Sequence, residues 1–227
     1  MTDAPPDAIR DRLLEAVLLH VPFDGWSPEA FRRAAAEAGI EPGHARLACP
    51  RGALDLAVAF HRRGDAAMLA RLDTPDFAAL GMTAKITKGV RTRLEIAEGH
   101  EEAVRRATSM FALPHNAPEG ARLMWETADR IWTAAGDTAT DYNWYTKRLT
   151  LAGVLSSTLL HWLGDASPGK TATWAFLDRR IGDVMRIEKV KAKARGNPLA
   201  RLALAGPKAA LSLLRPPRRH GLPGSPE

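Results

Sequence analysis

The most explicit chemical pattern in the chain is Gly164-Asp165-Ala166-Ser167-Pro168-Gly169-Lys170-Thr171, which fits G-x-x-x-x-G-K-[ST] letter for letter. Nucleotide hydrolases use such a loop between a β-strand and a helix, where its backbone N–H groups wrap phosphates. Here Leu155, Thr158, Leu159 and Trp162 lead into it with helical spacing, and no apolar strand ending in Asp follows to hold Mg²⁺. The expectation is a helix–helix loop with a Ser-Pro cap. The seven histidines (His20, His44, His61, His100, His115, His161, His220) never pair at helical spacing. Glu41 and His44 make one Glu-x-x-His, but a di-iron bundle needs two on helices, and Pro42 and Gly43 lie inside this one. Glu95, Glu98 and Glu102 share a helical face beside Arg91, Arg105 and Arg106, the pattern of a solvated, salt-paired surface. Cys49 is the lone cysteine, which excludes a disulfide framework or a cysteine-rich zinc site. It has no evident His partner and reads as a small packed residue. No catalytic constellation, metal site or cofactor is expected.

The elements that carry these residues are helical nearly throughout. Among 227 residues, apolar types make 45% and charged types 26%, an ordinary globular balance. No run alternates in the manner of a strand. Breaks fall at Pro/Gly clusters: 22–27, 39–43, 50–52, 73–75, 114–118, 136–140, 164–169 and 196–198. Ser27-Pro28, Ser167-Pro168 and Asn197-Pro198 each set a capping side chain before a proline at the first helical position. About ten helices result. Leu151, Val154, Leu155, Thr158, Leu159 and Trp162 form one buried face, and Met124, Thr127, Ala128, Ile131 and Ala135 form another on the helix before it. The longest uncharged stretch, 149–164, is 16 residues long and contains Thr, Ser and His, short of the roughly 20 apolar residues of a membrane span. No secretory signal is expected at the start of the sequence, because residues 1–11 carry three aspartates. The net charge of +6 is uneven: ten Lys/Arg face one acid between Arg186 and Arg219, while the rest is slightly acidic. A polyanion partner, phospholipid or nucleic acid, is expected at the C-terminal end.

Residues 9–48 read as three short helices. Gly25-Trp26-Ser27-Pro28 through Phe31 and Ala34-Ala35-Ala36 to Gly39-Ile40 resembles the start of a TetR-type helix-turn-helix. Gly39 would take the left-handed conformation that ends the middle helix, and Ile40 would cap the small core. The third helix, 44–49, offers only His44 and Arg46 as polar readers before Pro50. Base readout needs more of them, set among phosphate contacts. DNA is therefore not expected as a partner. A TetR-type transcriptional regulator remains the alternative reading, with Arg46 as its test position.

Asp141-Tyr142-Asn143-Trp144-Tyr145-Thr146-Lys147-Arg148 concentrates both tyrosines and a tryptophan among charges at a helix start. Trp144, Arg148, Leu151 and Leu155 share a stripe whose Arg148 must reach water or a partner. The aromatics either complete the core or form an aromatic/Arg patch of interface composition. This stretch, with Thr173-Trp174-Ala175-Phe176-Leu177-Asp178-Arg179-Arg180-Ile181 and Pro50-Arg51-Gly52-Ala53-Leu54-Asp55-Leu56, resembles the ubiquinone (coenzyme Q) biosynthesis accessory proteins numbered ninth in their pathway series. The likeness spans roughly residues 9–190 and is weakest over 75–120.

The resemblance implies a homodimeric TetR-like all-α fold. It also implies an apolar chamber for isoprenoid lipids or quinone intermediates, and handover to the di-iron demethoxyubiquinone hydroxylase. Asp141, Asn143, Trp144, Tyr145 and Arg148 match the aromatic patch near the chamber mouth that engages that partner. The quinone head group would stay near the mouth. Helical faces at 82–97, 123–135 and 149–162 are able to line such a cavity, with Met82, Ile86, Met110, Phe111, Leu123, Met124 and Leu155 as walls, although each also suits ordinary core packing. In the tail, Leu199, Leu202, Leu211 and Leu214 alternate with Arg201, Lys208 and Arg215. A short apolar helix with basic flanks lies in the membrane interface, drawn to anionic lipid by about 1 kcal/mol per basic side chain. A helix docked on the body or a disordered basic tail fits the same residues. The architecture expected is thus an N-terminal helix-turn-helix-like unit (1–50), a helical lipid-binding bundle (51–195) and an amphipathic basic tail (196–227). The protein would be non-catalytic and peripheral on a bacterial inner membrane.

Overall fold

The computed structural model describes the backbone of residues 5–138 and 142–195, with side chains over 5–138 and 144–186. Within these residues the chain is all-α, in ten α-helices: α1 (Pro6–Asp24), α2 (Pro28–Glu37), α3 (Pro42–Ala48), α4 (Ala53–Leu72), α5 (Pro75–Ala79), α6 (Met82–Glu95), α7 (Glu101–Phe111), α8 (Ala117–Ala134), α9 (Tyr142–Gly164) and α10 (Thr171–Arg195). The expected tail helix and its residues Leu199, Leu202, Lys208, Leu211, Leu214 and Arg215 lie outside the described residues.

Local chemistry sets the helix ends. Ser27 Oγ accepts from the Ala30 N–H (3.1 Å), and Pro28 stands at the first helical position. Thr74 does the same for α5 through the Phe77 N–H (3.2 Å). These side chains satisfy donors that the first helical turn leaves without partners. At the end of α2, Gly39 takes φ +61°, a left-handed value that favours glycine. Its N–H reaches Ala36 O, and the Ile40 N–H reaches Ala35 O at 2.9 Å, closing the helix with paired carbonyls.

Two apolar cores share one long helix. The first gathers α1, α2 and α3 around Leu13, Val17, Phe31 and Ala34, and it borrows Leu56 and Ala57 from α4 and Ala103 and Ala107 from α7. The second joins Met68 and Leu72 of α4 to Ile86, Val90 and Leu94 of α6, Ile131 of α8, Leu155 and Trp162 of α9 and Leu177 of α10. Helix α4 therefore runs through both. The chain boundary near residue 50 is not a boundary of the core, because the N-terminal unit buries its apolar faces against α4 and α7.

A cavity between two cores

Where the cores meet, α4, α6, α7, α8 and α9 leave a cavity of about 740 Å³. This lies in the roughly 300–1,000 Å³ range of small-molecule sites. Ala57, Phe60 and His61 of α4 and Arg93 and Leu94 of α6 form one side, with Ala97 just after α6. Val104, Ala107 and Phe111 of α7 form a second. Leu123, Met124, Trp125 and Thr127 of α8 and Leu149, Ala152, Leu155, Ser156 and Leu160 of α9 complete the wall. The lining is overwhelmingly apolar. Its rim carries Leu149 (67% exposed) and Leu160 (61% exposed), whereas Leu123 and Thr127 are buried.

Four of the seven expected wall residues line this space: Phe111, Leu123, Met124 and Leu155. Three do not. Met82 is exposed at the first turn of α6. Ile86 is buried in the second core, two turns before the end of α6 that reaches the cavity. Met110 packs against the first core, because adjacent helical residues point about 100° apart and Phe111 takes the cavity-facing position. Helix α7, in the stretch where the family likeness is weakest, supplies Val104 and Ala107 beside the expected Phe111.

The cavity has one polar corner, built from residues that sequence reasoning missed. Asp65 of α4 is fully buried and accepts from Arg93 Nε (2.7 Å), Arg130 Nη1 (2.6 Å) and Thr127 Oγ1 (3.0 Å). Arg93 Nη2 donates to the His61 carbonyl (3.0 Å) and lies 3.5 Å from His61 Nδ1. His61 Nε2 sits 2.8 Å from Thr127 Oγ1. Burial, and then the Arg93 charge, push the His61 imidazole down to about 4, so it is neutral at physiological pH. With Arg93 donating to Nδ1, the proton resides on Nε2 and is donated to Thr127, whose own proton goes to Asp65. Gly64 makes room for this arrangement, since a Cβ there would stand 2.7 Å from the Arg93 guanidinium carbon.

Beside the cavity lies an aromatic cluster. Trp125, a wall residue, has its ring centroid 5.8 Å from Trp144 and 6.2 Å from Tyr145, and those two are 4.8 Å apart. All three are partly exposed. Arg148 is different from expectation. It is buried, donating to Asp129 (2.5 Å), Asp137 (3.1 Å) and the Trp144 carbonyl (3.1 Å), with its guanidinium 4.1 Å from the Trp144 ring centroid. Lys147 also pairs with Asp137 (2.7 Å). Carboxylates near the end of α8 neutralise the charge that was expected to reach water or a partner, so Arg148 holds the patch from beneath and offers no surface of its own. Asp141 and the side chain of Asn143 lie outside the described residues.

The phosphate-loop pattern joins α9 to α10 without a strand. Lys170 Nζ is engaged by Asp165 O (3.0 Å) and Glu101 (3.1 Å). Asp165 caps α10 through Thr173, and hydrogen bonds from Ser167 and Thr173 hold its carboxyl well below the usual carboxylate range. Cys49 is buried, and burial pushes its thiol up. Among the described residues no group of three or more His, Cys, Asp or Glu is placed to hold a metal ion. On α3, His44, Arg46 and Leu47 are exposed, and Arg46 leans over the Phe31 ring.

Residues 117–188 match the family model described as COQ9, a span covering α8, α9 and most of α10. The chain carries a COQ9 domain. It is also similar along most of its length to proteins titled ubiquinone biosynthesis protein COQ9, mitochondrial. The Bos taurus protein is 33% identical over 188 residues, 80% of this chain and 59% of the relative. The Homo sapiens protein is 32% identical over the same share of each. The Drosophila melanogaster protein is 30% identical over 85% of this chain and 60% of the relative. The chain thus spans about three fifths of the length of these curated relatives. A crystal structure titled as the TetR transcriptional regulator from Nitrosomonas europaea aligns with a TM-score of 0.64, covering 78% of this chain and 97% of that one at 20% identity. That likeness establishes a TetR-like fold for the COQ9-domain chain. The COQ9 match itself contains the aromatic cluster and two cavity walls, α8 and α9.

Proposed function

We propose that this chain serves ubiquinone biosynthesis as a non-catalytic lipid-binding accessory protein. It takes an isoprenoid quinone intermediate into the cavity at a membrane surface and presents it to the di-iron demethoxyubiquinone hydroxylase. The observation that carries this reading is the apolar cavity, open past Leu149 and Leu160 and touching through Trp125 the patch of Trp144 and Tyr145. A polyprenyl quinone is almost insoluble, so a carrier must bury part of its chain, and an apolar cleft between helices does so. Aromatic side chains with an exposed edge are suited to seat a protein partner. The names of the COQ9 relatives supply the pathway. Membrane contact rests on the basic, leucine-rich residues 197–227. No helix among the described residues is long and apolar enough to cross a membrane, so a peripheral attachment is the form proposed. Pairing as a homodimer is part of the same reading.

Mass analysis of lipid extracted from the purified full chain tests this, with a co-purifying isoprenoid or quinone expected. Protein free of any lipid would overturn it. Deleting residues 197–227 should reduce flotation with anionic liposomes, and unchanged flotation would remove the tail's role.

A further inference from the structure

The polar corner of the cavity braces α4 against α6 and α8, and it also sets a cation against any guest. Arg93 is the only charged side chain on the described wall, and an apolar guest laid against a guanidinium strips its water without replacement. Arg93 has five N–H donors. Its Nε is taken by Asp65 and its Nη2 by the His61 carbonyl, while no hydrogen-bond partner is found for Nη1 among the described residues. The corner is also more enclosed than the rim. Arg93 and His61 side chains are 12% and 14% exposed, against 67% and 61% for the rim leucines.

The fork of Arg93 is thus already spent, and two parallel donors are no longer free to grip a carboxylate or phosphate in bidentate fashion. Asp65, fully buried behind the guanidinium, would repel a second anion. One donor nitrogen, Nη1, beside a neutral imidazole and a hydroxyl suits a single neutral acceptor.

Resting on the lipid-binding reading above, we propose that Arg93, with His61 and Thr127 setting its position, forms a head-group subsite for one ring carbonyl of a quinone. The ring then lies at the floor and the hydrocarbon tail leaves over Leu149 and Leu160, the reverse of a head group resting at the mouth.

A matched pair of ligands tests this on the full chain by calorimetry: decylubiquinone, and n-decylbenzene with the same tail on a ring without oxygens. The wild-type chain should bind the quinone about five- to tenfold more tightly, as one hydrogen bond is worth. Arg93→Lys keeps a charge opposite Asp65 but lacks Nη1, and should close that gap while still binding n-decylbenzene. An unchanged preference in Arg93→Lys overturns the subsite and leaves lipid binding standing. Equal binding of both ligands by the wild-type chain does the same. Palmitate binding more tightly than the quinone through Arg93 would make it a carboxylate site and also overturns it. If neither ring ligand binds, the lipid-binding reading fails too. Infrared spectra of the wild-type complex give a test that needs no variant: one quinone carbonyl stretch should move to lower frequency on binding, and two unshifted carbonyls contradict the proposal.

Discussion

The N-terminal helices and the helices around the cavity use similar apolar residues to opposite ends. In the first core Ala30, Ala34, Ala35, Ala45 and Ala48 are all buried and fill the gaps between Leu13, Val17, Val21 and Phe31. Small residues bring α1, α2 and α3 close together, and no charged side chain is needed inside. Around the cavity, Phe60, Phe111, Met124 and Leu159 are only partly buried and face a void. Beyond the second core, what fixes those helices is ionic. Asp65 ties α4 to α6 through Arg93 and to α8 through Arg130 and Thr127, while Arg148 ties α9 to Asp129 of α8 and to Asp137 just beyond it. Close packing lowers the energy by removing space. A wall that must keep space open needs directional contacts in its place, and buried ion pairs supply direction even where their net stabilisation is small.

The contrast breaks first at those pairs. Arg148→Ala leaves Asp137 buried with less of its compensation and should cost about 3–5 kcal/mol in urea unfolding. A loss under about 1 kcal/mol would mean that the ionic ties are ornamental. His61 gives the next largest effect, through pH. Its pKa is depressed in the folded chain, from 6.5 to about 4, so the unfolded chain takes up the proton first as pH falls. The stability it contributes is complete above pH 6.5 and drains away between there and about pH 4, by up to about 3 kcal/mol. His61→Gln should flatten the stability–pH curve in that window, and an equal slope in both proteins would deny that His61 is buried neutral.

Steric substitutions sharpen the comparison further. Ala34→Leu overfills the first core and should cost about 1–3 kcal/mol, whereas Ala152→Leu enters the cavity and should cost less than about 1 kcal/mol. Similar losses at both sites would show that the two regions are packed alike. The smallest effect is local to α2, where Ser27→Ala removes its N-cap and should cost about 1 kcal/mol in thermal or urea unfolding. No change there would remove Ser27 from the account of that helix.

Much of the fold was legible because its signals are local. Ser27-Pro28 and Gly39-Ile40 mark helix ends within a few residues, and the stripes on α8 and α9 show their buried faces directly. The site was only partly legible because its decisive contacts are distant in sequence. Asp65 meets Arg93 and Arg130 at separations of 28 and 65 residues. Nothing in the Arg-Arg-Gly-Asp stretch of α4 distinguishes Asp65 from a solvated carboxylate. Arg148 departs from expectation for a related reason. A charge on an apolar stripe reads as one that must reach water or a partner, although Asp129 and Asp137 on the preceding segment are available to bury it. Ile86 and Leu94 follow the same stripe of α6, and only the three-dimensional course of the helix decides which of them reaches the void.

The central claim is that the space between the two cores exists to hold a guest. Native mass spectrometry of the full chain after loading with decylubiquinone tests it most directly, run side by side on the wild type and on Ala152→Leu. One quinone per wild-type chain and strongly reduced loading of the folded Ala152→Leu chain are expected. Equal loading of the two proteins, or no loading of either, would contradict the claim.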